Sequence, residues 1–235
     1  MKKIILASLV VLAFGVSASA AEYGNAILVK CPHCGNEKAV INLISGNTFG
    51  GLMWWDMCTN FPNNPEVCPV QKCPYCGKYF IYRTAEKREA TNKAVGKGVT
   101  GDLTFSEARK AWEQLHDNVS QEDLNELALL CLHRYNDFQC EWPDGYKHKK
   151  NHPRTADDRL FAKTIVDILI ANYKVKTPLF YAEWLCNVGE FERAKEILDA
   201  TPRPEQNPSG YDFARLYDIL VESCQQKIGK VRLIY

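Results

Sequence analysis

Two short cysteine hooks of one design, Cys31-Pro32-His33-Cys34-Gly35 and Cys73-Pro74-Tyr75-Cys76-Gly77, constrain this chain more than any other feature. Each hook sets two sulfurs on one side of a tight turn. The proline presets the turn backbone. The glycine lets the chain leave with φ > 0, so main-chain N–H groups can point at the sulfurs. Four thiolates delivered from two separated segments are the donor set of a tetrahedral zinc site. Cys31, Cys34, Cys73 and Cys76 are therefore the expected metal ligands, with structural zinc as the cofactor. The 38 residues between the hooks exceed the intervals common in zinc fingers.

Cys-Pro-His-Cys also resembles the active site of periplasmic disulfide oxidants, and Cys-Pro-Tyr-Cys that of glutaredoxins. In the thioredoxin fold, however, such a motif opens a long helix that lowers the first thiol's pKa. Here the first hook is followed by Asn36-Glu37-Lys38, then by the β-leaning Ala39-Val40-Ile41-Asn42-Leu43-Ile44, then by Ser45-Gly46-Asn47. Lys78-Tyr79-Phe80-Ile81-Tyr82 after the second hook is again strand-like in its aromatic and β-branched content. Knuckle, strand, long excursion, knuckle, strand is the arrangement of a zinc ribbon, expected over residues 22–85.

Residues 1–20 read as a secretory signal. Lys2 and Lys3 supply the charged start, Ile4 to Val16 the apolar stretch and Ala18-Ser19-Ala20 the cleavage site. The apolar stretch falls short of the roughly 20 residues of a membrane span. The expected location is thus a bacterial periplasm or the exterior, with no integral span after cleavage. Such compartments are oxidising, so four free thiolates persist there only if metal protects them. Without Lys2 and Lys3, 27 basic residues face 28 acidic ones. That near-neutral balance gives no overall pull toward nucleic acid or an anionic membrane.

Between the hooks, Phe49-Gly50-Gly51 and Asn60-Phe61-Pro62-Asn63-Asn64-Pro65 mark an irregular excursion. Trp54 and Trp55 within it are expected to cover the metal site, and Cys58 and Cys68 flank the proline-rich loop. Residues 86–102 read as a linker. Gly96-Lys97-Gly98-Val99-Thr100-Gly101 matches G-x-G-x-x-G, but no strand precedes it, as a dinucleotide fingerprint requires.

From residue 103 the pattern turns helical. Thr104, Ser120 and Thr155 each stand three before an acidic residue (Glu107, Asp123, Asp158), the spacing of a capping box. Helices are expected at 104–117, 120–137 and 156–174, from Thr177-Pro178 to Val188, over 190–200, and over 211–228 ending at Gly229. Ala182, Leu185, Gly189, Phe191, Ala194 and Leu198 give the pair spanning 176–200 a resemblance to a tetratricopeptide repeat. Small residues there let helices approach, and Gly189 makes the turn. The whole chain resembles bacterial exported proteins that join an N-terminal zinc ribbon to a repeat-like helical domain, here residues 103–229. That resemblance implies zinc and a binding scaffold, and no reaction.

The expected fold class is α+β: a small β ribbon followed by an all-α domain of helical hairpins. No H-E-x-x-H, G-x-S-x-G or P-loop is present, so no catalytic residue is assigned. His116 and His133 read as surface or packed histidines. Residues 147–154 concentrate basic side chains with His148 and His152, a solvated loop by composition. Cys131 and Cys140 would lie about 13 Å apart on one continuous helix, too far for a bridge, and could pair only if that helix ends near Asn136. Cys186 and Cys224 sit on different helices. The expected function is a non-enzymatic exported module for a protein or peptide partner. The alternative is a periplasmic thiol–disulfide or metal-handling protein that uses the same hooks.

Overall fold

A computed structural model describes residues 21–46, 52–53, 59–60, 67–91, 103–137, 154–175, 177–206 and 212–229. The layout is α+β: short antiparallel strands in the N-terminal half, helices in the C-terminal half. The segment 1–20 read as a secretory signal, Trp54, Trp55, Cys58, the 96–101 glycine motif, Cys140 and residues 147–153 lie outside the described residues.

Each hook is the turn of its own hairpin. Strands β1 (Ala21–Tyr23), β2 (Ile27–Lys30) and β3 (Glu37–Val40) precede and follow the first hook. The β-leaning run after that hook breaks at Ile41-Asn42, and its second half is β4 (Leu43–Gly46), which pairs with β1. Within the excursion, β5 (Leu52–Met53) and β6 (Thr59–Asn60) form a two-residue ladder. The second hook joins β7 (Val70–Lys72) to β8 (Tyr79–Ile81). Inside the stretch read as linker, β9 (Lys87–Glu89) pairs antiparallel with β2, giving the order β3-β2-β9. Its exposed Lys-Arg-Glu sequence hides it from apolar-pattern reasoning; its ladder bonds come from the main chain, and Arg88 Nε donates to Glu37 on β3 at 2.8 Å.

Three helices start where the cap residues Thr104, Ser120 and Thr155 require. Helix α1 (Phe105–Leu115) and α3 (Ala156–Asn172) carry complete capping boxes at Thr104 and Thr155. In α2 (Gln121–Asn136) the Ser120 hydroxyl accepts from Asp123 N–H, but the reciprocal bond to the Ser120 backbone is absent, because Asp123 is turned toward Arg83 and the Ser120 hydroxyl. Helices α4 (Leu179–Asn187) and α5 (Phe191–Ala200) form a helical hairpin around Gly189 at φ +82. Helix α6 (Phe213–Gln226) stops two residues earlier than the glycine signal suggests. Lys227, not Gly229, takes the left-handed conformation at φ 54, and its N–H bonds to the Ser223 carbonyl.

Two cores result. The larger runs through all six helices and includes Val70, Tyr79 and Ile81 of the second hairpin. The smaller consists of Val29, Cys31, Val40, Cys73 and Phe80. Because side chains alternate along a strand, Tyr79 and Ile81 face the helices while Phe80 faces the small core. All three are buried, so this hairpin is covered on both sides. Among the described residues, no helix is long and apolar enough to cross a membrane.

Candidate metal centre

The two hooks have the same local geometry. In each, the glycine N–H bonds back to the first cysteine's carbonyl at 2.9 Å (Gly35 to Cys31, Gly77 to Cys73). In each, the first cysteine's N–H bonds forward at 2.9 Å (Cys31 to Asn36, Cys73 to Lys78). Gly35 and Gly77 both sit at φ 73, where a side chain would strain the backbone. This conformation turns the N–H of Asn36 toward Cys34 Sγ and that of Lys78 toward Cys76 Sγ.

The hooks face one another, and their sulfurs interleave. Cys31 Sγ lies 3.7 Å from Cys76 Sγ, and Cys34 Sγ lies 3.6 Å from Cys73 Sγ. All four sulfurs lie within 4.8 Å of one another. A tetrahedron with metal–sulfur bonds of about 2.3 Å has edges of about 3.8 Å, whereas bonded sulfurs in a disulfide stand about 2.05 Å apart. The four cysteines singled out from sequence are thus brought together in a cluster that could hold a metal ion. Among the described residues it is the one group of three or more His, Cys, Asp or Glu side chains so arranged.

The cluster is half-buried by design of the hooks. Cys31 and Cys73 are buried in the small core, while Cys34 and Cys76 reach solvent. The Asn36 N–H, helped by the Asn36 side-chain amide at 3.4 Å and by the neighbouring thiols, brings the Cys34 thiol down to about 6. At Cys76 the Lys78 N–H pulls the same way, but desolvation and the surrounding thiols Cys73, Cys34 and Cys31 outweigh it and push the thiol up to about 11. One negative charge is accommodated easily and the next is resisted, as expected when like charges crowd. A cation among the sulfurs removes that resistance.

Four side chains that sequence reasoning did not single out lock the hooks in register. His33 Nε2 lies 3.0 Å from the Tyr79 carbonyl oxygen, a bond that needs the proton on Nε2. Lys38 Nζ donates to Gln71 Oε1 at 2.8 Å and to the Lys72 carbonyl at 3.3 Å, tying the first hairpin to the second. Gln71, fully buried, donates in turn to the Cys68 carbonyl at 2.7 Å. From α1, Gln114 bonds both main-chain polar groups of Tyr79. None of these follows from local pattern, since each partner lies 33 or more residues away or is chosen by packing.

The remaining sequence candidates serve structure. His116 stacks on Trp112 with ring centroids 5.2 Å apart, and its Nδ1 lies 2.8 Å from the Trp112 carbonyl. Cys131 is buried, its thiol directed at the Ala108 carbonyl at 3.5 Å, and burial pushes its pKa up. Arg154, the described end of the basic stretch, donates to the carbonyls of Arg134 (2.6 Å) and Tyr135 (3.0 Å) and lies over the Phe105 ring. It closes the C-terminal turn of α2, where a cation complements the helix dipole. Compared with protein-family models, curated proteins and solved structures, the chain matches none of them.

Proposed function

We propose that this chain is an exported, zinc-stabilised, non-enzymatic interaction module in which the ribbon caps a stack of helical hairpins. The observation that carries the metal assignment is the cross-hook sulfur spacing of 3.6 and 3.7 Å, close to the edge of a zinc–thiolate tetrahedron. Zinc is the fitting ion because an all-thiolate tetrahedral donor set suits it, and because hydrogen bonds to the sulfurs support bound thiolate. The need for metal has a second support. The small core holds five buried residues, too few to stabilise a fold alone, and structural zinc contributes about 10–16 kcal/mol in small domains.

Export rests on the composition of residues 1–20, and the scaffold role on the repeat-like pair α4–α5. There Ala182 and Ala194 are fully buried where the helices meet. Stacked helical hairpins bind protein or peptide through side-chain pockets on one face. The deciding measurement is metal and thiol content of the chain isolated from its own compartment without reductant. One zinc per chain with Cys31, Cys34, Cys73 and Cys76 protected from alkylation supports the reading. Disulfides among these four overturn it.

A second reading, metal handling or thiol exchange, draws on the solvent-facing Cys34 and Cys76. It calls for zinc that leaves to a weak chelator within minutes. A structural site holds its zinc under the same challenge.

A further inference from the structure

Outside the metal cluster, α4 and α6 bring two further sulfurs together. Cys186 Sγ lies 3.6 Å from Cys224 Sγ, across a sequence separation of 38 residues. The helices that carry them pack directly against each other. Cys186 is fully buried, whereas Cys224 is partly exposed. The spacing resembles that between the hooks, but the surroundings differ. No third and fourth ligand atom converges here, since among the described residues only the hook cysteines form a group of metal-holding size. Two cysteines alone in contact have another chemistry open to them, the formation of a bond between their sulfurs.

We infer that Cys186 and Cys224 are a cross-linking site, closed into a disulfide between α4 and α6 by exchange with a soluble disulfide that is attacked first by Cys224. The sulfurs need to approach by about 1.6 Å from their 3.6 Å separation to reach bonding distance. Cys224 carries the first step because it is the sulfur a solute can meet. Its thiol is held below the ordinary value by the hydrogen bond from Cys186, against the opposing influence of desolvation. Glu192, Lys195 and Asp199 on α5 are the charged groups around it, and Glu183 is the one beside Cys186. Cys186 is correspondingly pushed up, by that same hydrogen bond, by burial and by Glu183, and stays a thiol until the second step.

The Cys224 thiolate attacks one sulfur of the oxidant's disulfide; that S–S bond breaks, one oxidant thiolate leaves, and a mixed disulfide stands on Cys224. Cys186 then gives up its proton and attacks Cys224 Sγ. The mixed disulfide breaks, the second oxidant thiolate leaves, and the two protons lost by the cysteines end on the two released thiols. The pair loses two electrons and the oxidant gains them. The product pins the last helix to the helical hairpin and closes a loop that constrains the unfolded chain. This goes beyond the proposed zinc module and does not depend on it, since the pair is remote from the hooks in the chain and shares no ligand with them.

The test uses the full zinc-loaded chain and oxidised glutathione in graded ratio to reduced glutathione, followed by acid quenching, alkylation and peptide mass spectrometry. The expected result is conversion of the Cys186 and Cys224 peptides together into one cross-linked species two hydrogens lighter. Zinc content should be unchanged, and the melting temperature should rise by on the order of 5 °C. A stable glutathione adduct on Cys224, pairing of either cysteine elsewhere, or no reaction at glutathione ratios that oxidise ordinary dithiols overturns the proposal. In Cys224→Ser, Cys186 should remain unmodified in the folded chain; modification there would refute the order of attack. Zinc release is scored separately, so failure of the metal reading and failure of this one are told apart.

Discussion

Gln114 of α1 pairs with Tyr79 of β8 as a neighbouring strand would: its Oε1 accepts the Tyr79 N–H at 3.2 Å and its Nε2 donates to the Tyr79 carbonyl at 3.0 Å. The same carbonyl lies 3.0 Å from His33 Nε2 of the first hook. One peptide group of the second hairpin therefore joins both hooks to the first helix. Gln114→Ala leaves buried main-chain groups without their side-chain partner, which costs about 1–3 kcal/mol. Denaturant unfolding should register that loss, amide exchange at Tyr79 should speed up, and bound zinc should stay at one per chain.

The two hooks should respond differently to loss of a ligand. Val70, Tyr79 and Ile81 of the second hairpin belong to the helical core, whereas the first hairpin contributes to the small core alone. Cys34→Ser and Cys76→Ser should both abolish tight zinc binding. Cys76→Ser should also lower the melting temperature of the helices, and Cys34→Ser should do so less. Helical circular dichroism during heating, with zinc measured in parallel, distinguishes the two. Equal melting of both variants would show that the hairpin does not transmit its disorder to α1.

Acid should weaken the joint between the second hook's hairpin and the helices. Desolvation opposes ionisation of Asp123, but hydrogen bonds from Ser120 and Arg83 prevail and hold its carboxyl below the ordinary range. Because the folded pKa is the lower one, the stabilisation is fully present above the unfolded value of about 4 and is lost as pH falls through the folded one. Asp123→Asn should cost about 1–2 kcal/mol at neutral pH and flatten the dependence of stability on pH below about 4. Urea midpoints of parent and variant, measured across that range, check both.

Ala194 is fully buried where α5 meets its neighbours. Ala194→Leu adds a branched side chain to a close helix–helix contact and should cost about 1–3 kcal/mol. The melting temperature should fall with zinc content unchanged. A variant that melts like the parent would show that the helices do not pack closely at Ala194.

Lys227 carries the one positive φ among the described non-glycine residues. Its ion pair with Glu192, 3.5 Å long and exposed, contributes little. Lys227→Gly should therefore stabilise α6 by about 1 kcal/mol, since a left-handed residue with a side chain costs about 1–2 kcal/mol. A rise in thermal midpoint is the expected readout.

Read from residues alone, the hooks, most helix starts and the α+β order were legible, because each is decided within a few residues. A cysteine–proline–x–cysteine–glycine turn fixes its own sulfur directions, and Thr104 and Thr155 satisfy helix donors three residues ahead. The positions of Cys31, Cys34, Cys73 and Cys76 as one set were legible for the same reason. Tertiary structure alone decided that β8 is covered on both faces, that the charged segment Lys87–Glu89 is a strand, that Gln114 and His33 meet at Tyr79, and that Cys186 finds Cys224. Each of these depends on which elements pack together. Packing is set by the summed burial of side chains distant in sequence, which no local spacing encodes.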